Sequence, residues 1–330
     1  MRGAILSAVN TREYPSLSDA LVKVNALVAN MEKIVFGKHD VVKLCVIGLL
    51  ARGHLLLEDV PGIGKTTLAQ SLARSLDCAF RRIQFTSDML PSDILGISIL
   101  NPKTNAFEFR KGPIFSSIVL ADEINRTPPK TQGALLEAMS EAQVSVDGVS
   151  HALPLPFLVM ATQNPIEYEG TYVLPESQLD RFLLRVEVGY PPGEDELRVM
   201  RRHSPAKALS ELKPVLTAAE LVALQEQVSE VTVEESVARY ILSIIQATRT
   251  HEQVQLGSSP RGSQALFEAS QARALVEGRT FVTPDDVRAL ADPVLGHRIL
   301  VRARGADLAS AARERSRVIY DILKRIEIPQ

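Results

Sequence analysis

A glycine-rich segment followed by lysine and threonine is the first part of the chain whose residue types point to chemistry. It consists of Pro61, Gly62, Ile63, Gly64, Lys65 and Thr66. The backbone N–H groups of such a loop, together with the N-terminus of a following helix, attract phosphate. Lys65 adds a positive charge for the β- and γ-phosphates, and the Thr66 hydroxyl can ligate Mg²⁺. The segment predicts a site for ATP and magnesium, although taken alone it could also be an ordinary glycine-rich loop.

One position departs from the strict phosphate-loop pattern G-x-x-x-x-G-K-[ST]. Its first glycine is replaced by Asp59. Asp tolerates a left-handed backbone conformation better than most residues. We therefore expect the loop to keep its shape, with Asp59 taking up a conformation that glycine would otherwise provide.

Two adjacent carboxylates follow the phosphate loop at a distance of 57 residues from Lys65. Asp122 and Glu123 end the apolar run 118–121. At the carboxyl end of a buried strand, Asp122 can hold Mg²⁺ through water, and Glu123 can polarise a water for attack on the γ-phosphate. Alone, the pair would more simply be surface acids that cap a strand. In combination with the phosphate loop, the pair predicts a metal-binding residue and a general base.

Three further polar residues could complete the site. Asn164 follows another apolar run, 157–161, and its amide could orient the attacking water, although an Asn in this position often only forms a turn. Arg181 could be an arginine finger directed at the γ-phosphate of a neighbouring subunit, or it could pair with a local acid. Arg261 begins a helical pattern and could reach the phosphates, or it could be solvated there.

The elements that must position these residues are those of a nucleotide-binding α/β sheet. A strand, a glycine-rich loop and a helix in sequence open such a sheet. The other strand candidates are short apolar runs, typical of parallel strands that are buried on both faces. The predicted strands are 55–58, 80–85, 118–121, 157–161 and 183–188, and the predicted helices of this part are 17–33, 39–51 and 65–76.

Two antiparallel hairpins interrupt this alternation, and a helical region follows it. The first hairpin covers 97–110, with a turn at 101–105, and the second covers 143–153 around Asp147 and Gly148, a strong two-residue turn signal. Beyond a Pro- and Gly-rich segment the strand signals nearly vanish, so we expect one domain at 1–192 and a second at 193–330. The helical patterns of the second domain are 221–228, 234–250, 262–278, 285–295 and 308–325.

Composition narrows the classes of function. The formal net charge of −2 means that the chain as a whole has no excess of positive charge to attract nucleic acid or an anionic membrane. Two cysteines exclude a disulfide framework and a zinc site built from cysteines. Without an apolar run near ~18 residues, no membrane-spanning segment is predicted, and by default we expect a cytoplasmic protein.

The ordered motifs resemble those of MoxR-type AAA+ ATPases. They are Pro-Gly-Ile-Gly-Lys-Thr, Ala-Asp-Glu-Ile-Asn-Arg, Ala-Thr-Gln-Asn-Pro, Leu-Pro-Glu-Ser-Gln-Leu-Asp-Arg-Phe and Ser-Pro-Arg, within about 34–297. In that family these are Walker A, Walker B, sensor 1, the arginine finger and sensor 2. The resemblance implies an AAA+ P-loop αβα sandwich with a parallel sheet, followed by a small all-α lid domain. The residues implied to contact ATP are Val35, Phe36, Gly37, Pro61, Gly62, Ile63, Gly64, Lys65, Thr66, Thr67 and Arg261.

The resemblance also implies roles and partners. Thr66 and Asp122 would bind Mg²⁺, and Glu123, Asn164, Arg181 and Arg261 would act in ATP hydrolysis. The expected assembly is a homo-hexameric ring with ATP between subunits, in which the two hairpins face the central pore. Such a ring acts as a chaperone-like remodeller or maturation factor for a client protein, in many relatives with a partner that carries a von Willebrand factor A domain.

Three other functions are compatible with parts of this pattern. A metal-chelatase ATPase subunit belongs to the same clade and remains the main alternative. A nucleic-acid motor is disfavoured because the first hairpin carries only Lys103 and Arg110 as basic residues, and the chain has no Trp. A scaffold that binds ATP without turnover is disfavoured because Glu123 and Arg181 are both present.

Overall fold

The structure, a computed structural model, describes residues 16–60, 62–164, 172–201, 205–302 and 308–329. Pro61, one of the residues expected to contact ATP, lies outside this set. None of the helices in the described ranges is long and apolar enough to cross a membrane.

Thirteen strands are present in the described residues, and most of them are short. Five form one central sheet, and the others pair two by two. In chain order the strands are β1 (Leu55–Glu58), β2 (Leu76–Asp77), β3 (Phe80–Gln84), β4 (Gly96–Asn101), β5 (Ala106–Lys111), β6 (Ile118–Asp122), β7 (Gln143–Val146), β8 (Val149–Ala152), β9 (Leu158–Gln163), β10 (Leu184–Val186), β11 (Leu216–Thr217), β12 (Val254–Leu256) and β13 (Leu300–Val301).

Helices precede the sheet, connect its strands and make up most of the chain after it. The described residues contain thirteen of them, together with a 3₁₀ turn at Ile124–Arg126. They are α1 (Leu17–Glu32), α2 (His39–Leu50), α3 (Lys65–Ser75), α4 (Pro91–Leu95), α5 (Pro129–Glu141), α6 (Glu176–Leu179), α7 (Gly193–Arg201), α8 (Pro205–Glu211), α9 (Ala218–Val228), α10 (Glu235–Thr250), α11 (Pro260–Val276), α12 (Pro284–Leu295) and α13 (Leu308–Arg325).

The central sheet confirms the five predicted strands and their parallel direction. Its strand order is β10-β1-β9-β6-β3, and each neighbouring pair is parallel. All residues of β6 and β9 are buried, as expected for inner strands. Because every strand points the same way, the residues that follow β1, β9 and β6 meet at one edge of the sheet.

The expectation that all five strands are buried on both faces is wrong for β3. Only Ile83 of this strand is buried, whereas Arg81, Arg82 and Gln84 are exposed. The strand lies at one end of the sheet, where edge strands often carry charged side chains. This exposure matters below, because Arg82 and Gln84 reach the candidate site.

Both predicted hairpins are confirmed. β4 pairs antiparallel with β5, and β7 pairs antiparallel with β8. Asp147 and Gly148 have φ of 51° and 78°, the two positive values that a tight type I′ turn requires. The hairpins touch each other where the Phe109 and His151 rings stack with centroids 4.1 Å apart.

The helical lid follows the sheet, and its packing ties it to the start of the chain. One continuous apolar core contains Val24 of α1, Leu49 of α2, Leu68 of α3 and Leu266 of α11. Within the lid, β12 and β13 pair into an antiparallel two-stranded ribbon. The domain boundary near residue 192 stays a prediction.

Candidate functional site

The phosphate loop connects β1 to α3 with the backbone shape that an anion site needs. Gly62 and Gly64 have φ of 85° and 94°, which glycine adopts without strain. Apart from its chain neighbours, no atom of the described residues lies within 4 Å of where a Cβ of Gly62 would be, so this side of the loop is open. Gly64 is the N-cap residue of α3 and, having no side chain, leaves the start of this helix without a cap of its own. The backbone N–H groups at the start of a helix attract anions, so the loop and the first turn of α3 together suit a bound phosphate.

Asp59 stabilises the loop in a different way from the one expected. It is not among the residues with a positive φ, so the left-handed conformation expected for it is wrong. Its carboxylate instead accepts hydrogen bonds from the backbone N–H of Val60 at 2.7 Å and of Gly189 at 2.6 Å. The Lys65 ammonium donates to the Asp59 carbonyl. A carboxylate at this position thus joins the loop to the segment that follows β10.

Asp122 is a buried residue at the end of β6, 8% exposed, and its carboxylate accepts hydrogen bonds on both oxygens. Oδ1 accepts from the Thr162 hydroxyl at 2.6 Å. Oδ2 accepts from the Arg82 guanidinium, with Nε at 3.0 Å and Nη2 at 2.5 Å. The hydroxyl of Thr162 also accepts from the Glu123 N–H at 2.8 Å. These bonds fix the direction of the paired acids.

Glu123 has a left-handed backbone with φ of 59°, a conformation that costs non-glycine residues roughly 1 kcal/mol or more. Its Oε2 accepts from the Gln84 amide at 2.8 Å and lies 3.0 Å from Arg126 Nε. The side chain remains 31% exposed. The carboxylate is therefore held at the open edge of the sheet, where a water can reach it.

Asn164 follows β9 and is 6% exposed. Because β9 lies between β1 and β6, Asn164 lies between the phosphate loop and the paired acids. The Asp59 N–H donates to the carbonyl of the preceding Gln163 at 3.3 Å, which joins the ends of β1 and β9 directly. The fold thus places Lys65, at the start of α3, at the same sheet edge as Asp122, Glu123 and Asn164 at the ends of β6 and β9.

Arg181 is directed elsewhere in the molecule. Its Nη1 donates to the Leu136 carbonyl at 2.8 Å and to the Ser140 hydroxyl at 2.6 Å, both on α5. Arg261 is exposed in the first turn of α11, which begins at Pro260 rather than at 262 as expected. The structure does not bring Arg181 together with the four residues of the sheet edge.

An apolar cavity continues the phosphate loop towards the segment expected to meet adenine. Its volume is about 400 Å³. The Arg198 guanidinium lies over the Phe36 ring, 4.2 Å from its centroid. Gly37, with φ of 65°, follows in a left-handed conformation. The lining residues include Val35, Phe36, Gly62, Ile63, Gly64, Thr67, Val188, Tyr190 and Pro191. A flat ring bound in this cavity would have its phosphates at the start of α3.

The donors for a metal ion are oxygen atoms. Thr66 lies in the first turn of α3 and Asp122 at the end of β6. One hydroxyl and one carboxylate suit Mg²⁺, which keeps several waters and takes other ligands from substrate phosphates. No cluster of three or more His, Cys, Asp or Glu residues that could hold a metal occurs within the described ranges.

Sequence reasoning missed the residues that surround the acids. Thr162 was missed because the predicted strand ended at residue 161, whereas β9 continues to Gln163. Arg82 and Gln84 were missed because their strand was interpreted as buried and apolar. The charged pair Arg81-Arg82 in that strand is a signal that could have indicated an exposed edge.

Comparison with known proteins agrees with this geometry. Residues 54–184 match the model of the ATPase family associated with various cellular activities (AAA), and residues 246–322 match the AAA lid domain. The uncharacterised protein YeaC of Bacillus subtilis is 48% identical, over 92% of this chain and 93% of its own length. Chaperone MoxR1 of Mycobacterium tuberculosis is 40% identical, over 91% of this chain and 81% of its own length.

A solved structure supports the same assignment across the whole fold. The crystal structure of an ATPase candidate from Cytophaga hutchinsonii is 36% identical and superimposes with a TM-score of 0.86, covering 95% of this chain and 97% of that one. The sheet, the lid and the phosphate loop are therefore parts of one known architecture, and the chain belongs to the MoxR family of AAA+ ATPases.

Proposed function

We propose that this protein binds ATP with Mg²⁺, hydrolyses it, and uses the energy as a chaperone-like remodeller of a client protein. The observation that supports this most is the strand order β1-β9-β6. In that order the phosphate loop, Asn164 and the paired acids follow one another along a single sheet edge. The name of the Mycobacterium relative, a chaperone, supports the remodelling role.

Each residue then has a defined task. The N–H groups at the start of α3 and the Lys65 ammonium bind the phosphates. Thr66 and Asp122 hold Mg²⁺, which when bound neutralises charge on the phosphate oxygens. The Glu123 carboxylate accepts the proton of the attacking water, and the Asn164 amide orients that water. Val35, Phe36 and Gly37 surround the adenine ring, and Arg261 contacts the phosphates from the lid.

The proposed active form is a homo-hexameric ring. Arg181 bonds to α5 in its own subunit, away from the described part of the phosphate loop, which supports a role at the γ-phosphate held by a neighbour. Family resemblance supports an additional partner with a von Willebrand factor A domain. Native mass spectrometry with ATP should detect six copies, and a monomer at all concentrations would contradict the ring.

The central experiment measures phosphate release with and without Mg²⁺ in the wild type and in Glu123→Gln. We expect Mg²⁺-dependent hydrolysis in the wild type and a rate at least ~10²-fold lower in Glu123→Gln, the usual scale for loss of a positioned base. Nucleotide binding should persist, because Glu123 does not bind the phosphates. The exposed Glu137 on α5 provides a matched control, and Glu137→Gln should hydrolyse ATP at the wild-type rate.

A second variant separates binding from turnover. Lys65→Ala should lose binding of a fluorescent ATP analogue while its unfolding temperature stays close to that of the wild type, because Lys65 is partly exposed at the first residue of α3. Equal affinity in Lys65→Ala would refute the phosphate-loop assignment. A wild-type rate of hydrolysis in Glu123→Gln would refute the assignment of Glu123 as the general base.

A further inference from the structure

The segment that carries Arg181 is held by two residues of the lid. The carboxylate of the preceding Asp180 accepts a hydrogen bond from the Ser259 hydroxyl at 2.9 Å and one from Arg298 Nε at 2.8 Å. Both donors come from the helical part of the chain, whereas Asp180 follows α6, next to the sheet. These contacts therefore join the lid to the residue directly before Arg181.

Arg298 makes this connection rigid. Its side chain is 2% exposed, and it also donates to the backbone carbonyls of Phe182 and, at 3.0 Å, of Leu183. Burial lowers the pKa of Arg298 to about 10, and the neighbouring Asp180 carboxylate counteracts that shift. A buried guanidinium needs its counter-ion and its hydrogen bonds, so moving this segment away from Arg298 would be costly.

The other side of Arg181 is held as well. The ring of His297, buried in the lid, hydrogen-bonds to the Phe182 carbonyl at 2.9 Å. The backbone on both sides of Arg181 thus contacts the lid, while its guanidinium lies against Leu136 and Ser140 on α5. The position of the Arg181 side chain is set from two directions.

Ser259 ties the same segment to the helix that carries Arg261. It is the N-cap residue of α11, but its hydroxyl makes no capping hydrogen bond. The hydroxyl bonds to Asp180 instead. Ser259 itself lies two residues before Arg261 in the chain. An N-cap serine normally bonds to the first turn of its own helix. The hydroxyl of Ser259 thus contributes to the contact between lid and sheet.

We propose that Asp180, Ser259 and Arg298 form a positioning clamp that sets the place of Arg181 for the active site of the neighbouring subunit. This inference rests on the proposed function, in which Arg181 acts in trans. None of the three clamp residues touches the nucleotide in this proposal; they act through Arg181. Misplacing a catalytic group by about 1 Å can cost up to ~10²-fold in rate.

The test uses mixed rings in which finger and nucleotide site belong to different subunits. Lys65→Ala subunits supply Arg181 but bind no ATP, and Arg181→Ala subunits bind ATP but lack the finger. Activity in the mixture therefore arises where the Arg181 of a Lys65→Ala subunit faces the nucleotide site of an Arg181→Ala subunit. Ser259→Ala is then added to one type of subunit at a time. It is preferable to Asp180→Ala, which would leave the buried Arg298 without its counter-ion and could prevent folding.

We expect kcat of the mixture to fall roughly tenfold when Ser259→Ala is in the Arg181-bearing subunit, because one charge-assisted hydrogen bond that positions the finger is lost. KM should not change. The same substitution in the Arg181→Ala subunit should leave the rate unaltered, because that subunit has no finger to position. Ser259→Thr keeps the hydroxyl and should restore the rate. Ser263→Ala, one turn further along α11, is the matched control in either subunit.

The outcomes separate this inference from the function on which it rests. No activity in the mixture without clamp substitutions would refute the trans finger, and the clamp with it. Activity that does not respond to Ser259→Ala in either subunit refutes the clamp alone. A rate loss in the Arg181→Ala subunit would mean that Ser259 acts on that subunit's own nucleotide, and this too would overturn the clamp.

Discussion

Arg82 illustrates how strongly single residues of the site depend on their neighbours. Its guanidinium lies 2.5 Å from Asp122 Oδ2, although its side chain is 48% exposed. Asp122 is also the proposed metal-binding carboxylate, so Arg82 and Mg²⁺ compete for negative charge at the end of β6. Because water reaches the guanidinium of this pair, we assign the pair the energy of a solvent-screened surface ion pair, about 0.2–1 kcal/mol.

Replacing Arg82 should therefore make the metal easier to bind. In Arg82→Ala we expect the Mg²⁺ concentration for half-maximal binding of a fluorescent ATP analogue to fall roughly twofold to fivefold, the equivalent of that energy. Arg81→Ala is the matched control, because the adjacent side chain of a strand points to the opposite face. If Arg82→Ala needed as much Mg²⁺ as Arg81→Ala, the competition would be refuted.

Among the elements, the start of β1 is held by a buried histidine. The Nδ1 of His54 accepts from the Val159 N–H of β9, and its Nε2 lies 3.0 Å from the Met139 carbonyl of α5. The ring is therefore neutral, with its proton on Nε2. Burial lowers the pKa of His54 to about 4. The strand that leads into the phosphate loop is thus positioned by a histidine that, as the pH falls, is protonated in the unfolded chain before it is protonated in the folded one.

This shift predicts a loss of stability in mild acid. Below about pH 6.5 the unfolded state takes up a proton at His54, whereas the folded state does so only near pH 4, so the free energy of unfolding decreases within that window. The decrease is about 1.4 kcal/mol per pH unit at most. Between pH 7.5 and 5.5, the free energy of unfolding measured by urea denaturation should fall by about 1 kcal/mol less in His54→Gln than in the wild type. An identical pH dependence in both proteins would exclude His54 as the cause.

At the scale of the whole molecule, the question is whether one subunit contains a complete site. Lys65, Asp122, Glu123 and Asn164 meet at one sheet edge, whereas Arg181 contacts α5. An arginine finger contributes about 10³-fold or more by neutralising charge in the transition state. The activity of this protein should therefore depend on the association of subunits.

Arg181→Ala tests this directly. We expect ATP binding close to that of the wild type and hydrolysis at least ~10³-fold slower. The specific activity of the wild type should rise with protein concentration as subunits associate, and phosphate release across a dilution series measures it. A specific activity that stays constant on dilution while Arg181→Ala remains inactive would mean that the finger acts within its own subunit.

The sequence by itself determined the parallel sheet, the two hairpins and the helical lid, because strand and helix periodicities and the Asp147-Gly148 turn are local properties. It also identified the acids and the phosphate loop, whose residue types and spacing carry their own chemistry.

Only the tertiary structure decided how Asp59 is used, that β3 is an exposed edge, and that Arg82, Gln84 and Thr162 contact the acids. Likewise, nothing local indicated that Ser259 and Arg298 bond to Asp180, 79 and 118 residues away in the chain. Such contacts depend on strand order and on lid packing, and residues so far apart in sequence leave no periodic pattern from which their proximity could be read.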